Sequence, residues 1–143
     1  MNVYSYEDIN IGMQESFSAL LTKDYIDAFR KYTGDINPLH NDDEFAKSKG
    51  YEGKVVFGML TASFYSTLAG VYLPGQNSLI HSVEVKFLKP VRLGLGGAPI
   101  ELLIAGTVIE KDDRFKLLTI KASIAIAKTK EKVSKAIIKA GVI

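Results

Sequence analysis

Residues 58 to 73 read GMLTASFYSTLAGVYL, a run that is apolar almost all the way round and interrupted only by small or hydroxylated residues. As a helix, such a segment offers no face suited to bulk water and has to be buried on most of its sides. Pro74-Gly75 stops it. The rest of the chain must therefore supply a wrapping for this one element, which excludes most arrangements open to a short sequence.

Strand-like segments follow at once. In residues 79 to 89, alternation puts Leu79, Val83, Val85 and Phe87 on one face and Ser82, Glu84 and Lys86 on the other. Residues 100 to 110 do the same with Ile100, Leu102, Ile104 and Val108, and residues 115 to 127 with Leu118, Ile120, Ile124 and Ile126. Residues 132 to 142 alternate Lys with small apolar groups. Turns such as KDDR and KTKEK join the later segments, so the four predict an antiparallel meander. Residues 12 to 21 are a further strand candidate with poor alternation. One buried helix followed by an antiparallel sheet packs most simply if the sheet curls around the helix, the α+β arrangement known as the hot-dog fold.

Ahead of the buried helix, Tyr25, Ala28, Phe29 and Tyr32 recur at the spacing of one helical face, with Thr22 as N-cap and Gly34 just past the end. Pro38 disfavours helix at Asn37, so GDINPLHND, residues 34 to 42, is expected to be a loop or sharp turn between helices. DDEFAKSK then predicts a short helix ending at Gly50.

With 143 residues and no internal repeat or linker, residues 1–143 are expected to form one domain. The absence of cysteine removes disulfide scaffolds, thiol nucleophiles and thiolate metal sites. A net charge of +2, with cations dispersed among acids, gives no nucleic-acid footprint. No stretch approaches the roughly 20 apolar residues of a membrane span. The opening MNVYSYEDIN does not read as a secretory signal, so the cytosol is the expected location. Exposed sheet edges around a small core predict a homodimer or higher homo-oligomer.

Of the two histidines, His40 lies in the turn-rich loop, five residues after Asp35. A regular helix would separate them, whereas a loop bent by Pro38 can converge them on one small volume. A carboxylate and an imidazole so placed can hold a water between them and divide the acid and base roles. The plainer reading is that Asp35 accepts backbone N–H bonds, Asn37 makes an Asx-turn before proline and His40 caps the next helix. Spacing alone leaves both open.

The string FRKYTGDINPLHNDDEFAKSKGYEGKVVFGMLTASFYSTL, with the later LPGQNS and VKFLKPV, resembles the MaoC-like and R-specific enoyl-CoA hydratases over residues 29 to 91. The resemblance rests on the Gly-Asp-x-Asn-Pro-x-His turn, the Asp and Phe-Ala pair after it, and the Gly-Met-Leu that opens the buried helix. It implies a hot-dog fold with a short helical overhang carrying the catalytic loop. It implies Asp35 and His40 as the catalytic pair, Asn37 as a loop-shaping neighbour, and Gly58 as the backbone N–H donor to the thioester oxygen. Ser66 falls where family members carry a serine near the site. The implied reaction interconverts a 2-enoyl and an (R)-3-hydroxyacyl thioester of CoA or acyl-carrier protein, with no metal or other cofactor. Two departures stand out. GLGGAP, residues 94 to 99, replaces the family's usual Gly-Asp, and Phe57 stands where a His is common before the glycine.

GLGGAP opens no helix and so lacks the context of a phosphate loop. His81, on an apolar strand face, suits core packing or a subunit contact better than catalysis. Tyr65, Phe64 and Tyr72 suit core or pocket wall. Two rival functions share the frame: a thioesterase, in which Asp35 directs water at the carbonyl, and a non-catalytic acyl-thioester-binding protein.

Overall fold

The computed structural model describes residues Met1–Ile143. Its five strands are β1 (Gln14–Leu21), β2 (Ser78–Phe87), β3 (Ile100–Asp112), β4 (Leu117–Ile126) and β5 (Lys132–Val142). They form one sheet in the order β1-β3-β4-β5-β2, with every neighbouring pair antiparallel. The last three strands are the meander that alternation predicts. β2 departs from it by pairing with β5 rather than β3. The segment between β2 and β3 contains Pro90 and the GLGG turn and is too long for a hairpin, so it carries the chain across to the other side of the sheet.

The inner face of the sheet is predominantly apolar. Leu102, Ile104 and Val108 of β3, Leu118, Ile120 and Ile124 of β4, and Ile138 of β5 are fully buried, together with Leu68 of the central helix. The helix comes so close that a Cβ on Gly106 would lie 2.8 Å from Leu68 Cδ2. Glycine in mid-strand is the residue that permits this approach. Tyr65 and Ser134, both buried, share a hydrogen bond of 2.8 Å across this layer, and burial pushes the Tyr65 phenol above its ordinary range.

The helix expected over residues 58 to 73 occupies its place but is divided into α4 (Gly58–Ala62), α5 (Phe64–Thr67) and a π-helical turn, Leu68–Tyr72. Thr61 Oγ1 donates to Gly58 O at 2.7 Å and Ser63 Oγ to Leu60 O at 2.6 Å. Hydroxyls that bind carbonyls of the preceding turn bend a helix, and the break falls at Ser63. One flank also stays open: Met59 is 65% exposed, and Ser63 and Ser66 are exposed with it.

Two faces differ from those that periodicity predicts. In β2 the pairing shifts register between Ile80 and Ser82. Val83, Val85 and Phe87 lie opposite the buried Ile138, Ala136 and Ser134, whereas Leu79 lies opposite Gly141 and turns outward. The extra residue is His81, exposed and resting on Gly141, so its expected core position is not realised. The first helix, α1 (Lys23–Thr33), has its foreseen ends: Thr22 Oγ1 accepts the Tyr25 N–H at 3.4 Å, and Gly34 takes φ 72°. It packs on the core through Ile26 and Phe29 alone, leaving Tyr25 and Ala28 exposed and Tyr32 91% exposed. A helix lying on the rim touches the core along a line narrower than its apolar stripe.

Candidate active site

The loop after α1 is held by its own polar side chains. Asp35 Oδ1 accepts the Asn37 N–H at 3.0 Å, and Asn37 Oδ1 accepts the Leu39 N–H at 3.0 Å. Asn37 thereby caps a single helical turn, α2 (Pro38–Asn41), with Pro38 at its first position. The loop expected here thus contains one turn of helix. Asn41 Nδ2 donates back to Asn37 O at 2.8 Å, and Arg30 Nη1 donates to Asn41 Oδ1 at 3.0 Å, which fastens the loop to α1. Asp42 caps the next helix, α3 (Asp43–Ser48).

The turn bonds foreseen for Asp35 and Asn37 are therefore present, but the cap foreseen for His40 is not. His40 Nδ1 instead contacts Val55 O at 2.7 Å. A carbonyl oxygen only accepts, so Nδ1 carries a proton, and in the neutral ring Nε2 is left as the acceptor. The imidazole lies against the Phe57 ring, centroids 4.3 Å apart, and Phe57 leans on Phe29 at 5.0 Å. Phe57 is almost fully buried and fills the space beneath the imidazole.

His40 and Gly58 border the same cleft, of about 390 Å³, walled by Val55, Val91, Val133 and Phe87. Lys89 is the single ammonium on its wall, and no carboxylate borders it. Gly58 is the first residue of α4, where a backbone N–H has no intrahelical acceptor, and Phe57 before it makes no side-chain cap. Phe87 covers the glycine closely: a Cβ on residue 58 would lie 2.9 Å from Phe87 Cε1. Asp35, Asn37 and Ser66 line neither this cleft nor the larger one beside it. Asp35 and Asn37 sit on the exposed loop, and Ser66 lies on the open flank of α5.

Sequence reasoning named His40 and Gly58 and missed the rest of the cleft wall, of which Phe87 and Val55 show why. Phe87 read as a strand-face residue, although the inward facing of its strand was a usable signal. The Val55 carbonyl carried no signal, because a main-chain acceptor looks alike at every residue.

Residues 9–98 match the MaoC like domain family. An (R)-specific enoyl-CoA hydratase of Rhodospirillum rubrum is 28% identical over 125 residues, 87% of this chain and 83% of that one. A second, from Aeromonas caviae, is 34% identical over 90 residues, 63% of this chain and 67% of that one. Among solved structures, the (R)-hydratase from A. caviae involved in PHA biosynthesis superposes with a TM-score of 0.83 at 24% identity, over 96% of this chain and 99% of that one.

Proposed function

The chain belongs to the MaoC-like domain family, and from that premise we propose that it is a hydro-lyase that adds water to a 2-enoyl thioester, or removes it from the (R)-3-hydroxyacyl thioester. The observation that carries the reading is one cleft bordered by both His40, with its proton held on Nδ1, and the free N–H end of Gly58.

In the hydration direction the oxygen of water bonds to C3, the C2–C3 π pair moves toward the thioester carbonyl, and C2 takes a proton. Negative charge grows on the thioester oxygen in between. The Gly58 N–H is the donor for that oxygen, and such a donor is worth about 10²–10³ in rate where one has been removed from other oxyanion holes. Glycine lets the thioester come close to the backbone. By resemblance to the family, His40 and Asp35 divide the acid and base roles, one taking the water's proton and the other giving one to C2, and Asp35, on the exposed loop outside the cleft, has to turn inward to reach that water. His40 does this through Nε2, because Nδ1 is engaged with Val55. Asn37 shapes the loop that carries both residues. CoA or acyl-carrier protein bears the acyl group, and no further cofactor enters.

The working unit in this reading is a cytoplasmic homodimer. β2 ends the sheet with one edge unpaired, and its inward residues Val83 and Phe87 stay exposed at 39% and 52%. The open flank of Met59, Ser63 and Ser66 is a second uncovered surface.

The test is loss of the conjugated enoyl absorbance of crotonyl-CoA, with free thiol assayed alongside, for the wild type, Asp35→Asn and His40→Ala. Hydration without thiol release, lost by at least about 10² in each folded variant, is the expected result. Thiol release in step with absorbance loss would make the protein a thioesterase, and binding without turnover would make it a non-catalytic acyl-thioester-binding or assembly subunit.

A further inference from the structure

His40, Val55 and Val56 border a second, larger cleft of about 610 Å³ as well as the one that holds Gly58. The two clefts adjoin at the imidazole but differ in chemistry. Four cations line the larger one, Lys23, Arg30, Lys54 and Arg92, against two carboxylates, Asp27 and Asp43, an excess of two positive charges. Asp27 is shared between Lys23 and Arg30. Asp43 already accepts the Lys54 backbone N–H at 2.9 Å, and its other oxygen lies 3.9 Å from Lys54 Nζ. Arg92 pairs with Glu52, which does not line the cleft. With Glu52 counted, four cations face three carboxylates, an excess of one. The opposite wall is the 94–97 turn, where Gly96 and Gly97 take φ of 66° and 79° and bring no side chain.

With the thioester oxygen at Gly58 and C3 at His40, the acyl group beyond C3 runs past the imidazole toward this charged wall. A plain hydrocarbon there would cover Ile26, Leu93 and Leu95 but leave the cations without an anion. A carboxylate would meet charge-assisted donors, Arg30 reaching it with the guanidinium hydrogens that Asn41 and Asp27 leave free. The phosphates of a nucleotide carrier are attached on the sulfur side, at the far end of the pantetheine arm. We propose that the acyl group itself carries the anion, so that the substrates are 2-enoyl thioesters of dicarboxylic acids. This rests on the hydratase reading and narrows its substrate class.

Glutaconyl-CoA and crotonyl-CoA differ only by the terminal carboxylate, so their kcat/KM ratio reads the proposal directly. A preference for glutaconyl-CoA of about tenfold or more is expected, the scale of one hydrogen bond to a charged group. Arg30→Gln and Lys54→Gln should erase most of it, Arg30→Lys should keep part, and added salt should shrink it. Glutaryl-CoA and butyryl-CoA, which cannot be hydrated, give the same comparison as Kd values. A tenfold difference there with no turnover of either enoyl ester would sink the hydratase reading and leave the anion site standing. Equal or reversed preference in both binding and turnover overturns the proposal. So does a loss in Arg30→Gln that is equal for both CoA esters and absent for their pantetheine analogues, since the cations would then serve the carrier's phosphates.

Discussion

At residue 58 the missing side chain is what lets Phe87 pack against the first turn of α4. Gly58→Ala would place a methyl 2.9 Å from Phe87 Cε1, so the ring or the first turn of α4 has to move. A shift of about 1 Å at reacting groups costs about 10² in rate. The kcat/KM on crotonyl-CoA should fall by about that factor with little change in melting temperature, read by steady-state kinetics and calorimetry. Wild-type kinetics in the variant would place the glycine away from the reacting atoms. Gly58 and His40 were legible in the sequence because motif and spacing mark them. The Val55 oxygen that orients His40 was not, and Arg30, Lys54 and Arg92 meet only through folding.

Among the elements, α3 and the segment leading to α4 are joined by Asp43, whose Oδ1 accepts the Lys54 N–H next to Val55. That bond, with the Lys54 charge, holds the Asp43 carboxyl below its ordinary range, against the opposing effect of partial burial. Asp27, bonded to Lys23, and Asp8, bonded to the Ser5 N–H, are lowered in the same sense. A carboxyl whose folded pKa is depressed stabilises the fold above its unfolded value, about 3.9, and that contribution fades as pH falls through the folded value. Melting temperature should therefore decline below about pH 4, and Asp43→Asn should flatten part of the decline. Parallel curves for variant and wild type would show no linkage at Asp43. Element ends were readable because Thr22 and Gly34 announce them by type. Faces were less so: one inserted residue at His81 turns Leu79 outward, and the rim position of α1 leaves its tyrosines in water. Neither effect changes the apolar pattern itself.

For the whole molecule, alternation and one apolar helix were enough to reach the fold, because a single buried element leaves a sheet few ways to cover it. Strand order was less accessible, since β2 lies beside β5 only through a long connection. The uncovered edge and helix flank make assembly testable. Light scattering should give the mass of two chains for the wild type and of one for Ser63→Arg, whose charge would be buried unpaired between partners. A wild type that scatters as a single chain would remove the homodimer. β2 is at once the rim of the sheet and, through Phe87, a wall of the cleft at Gly58. A substitution that displaces this rim therefore reshapes the exposed edge and the cleft wall together.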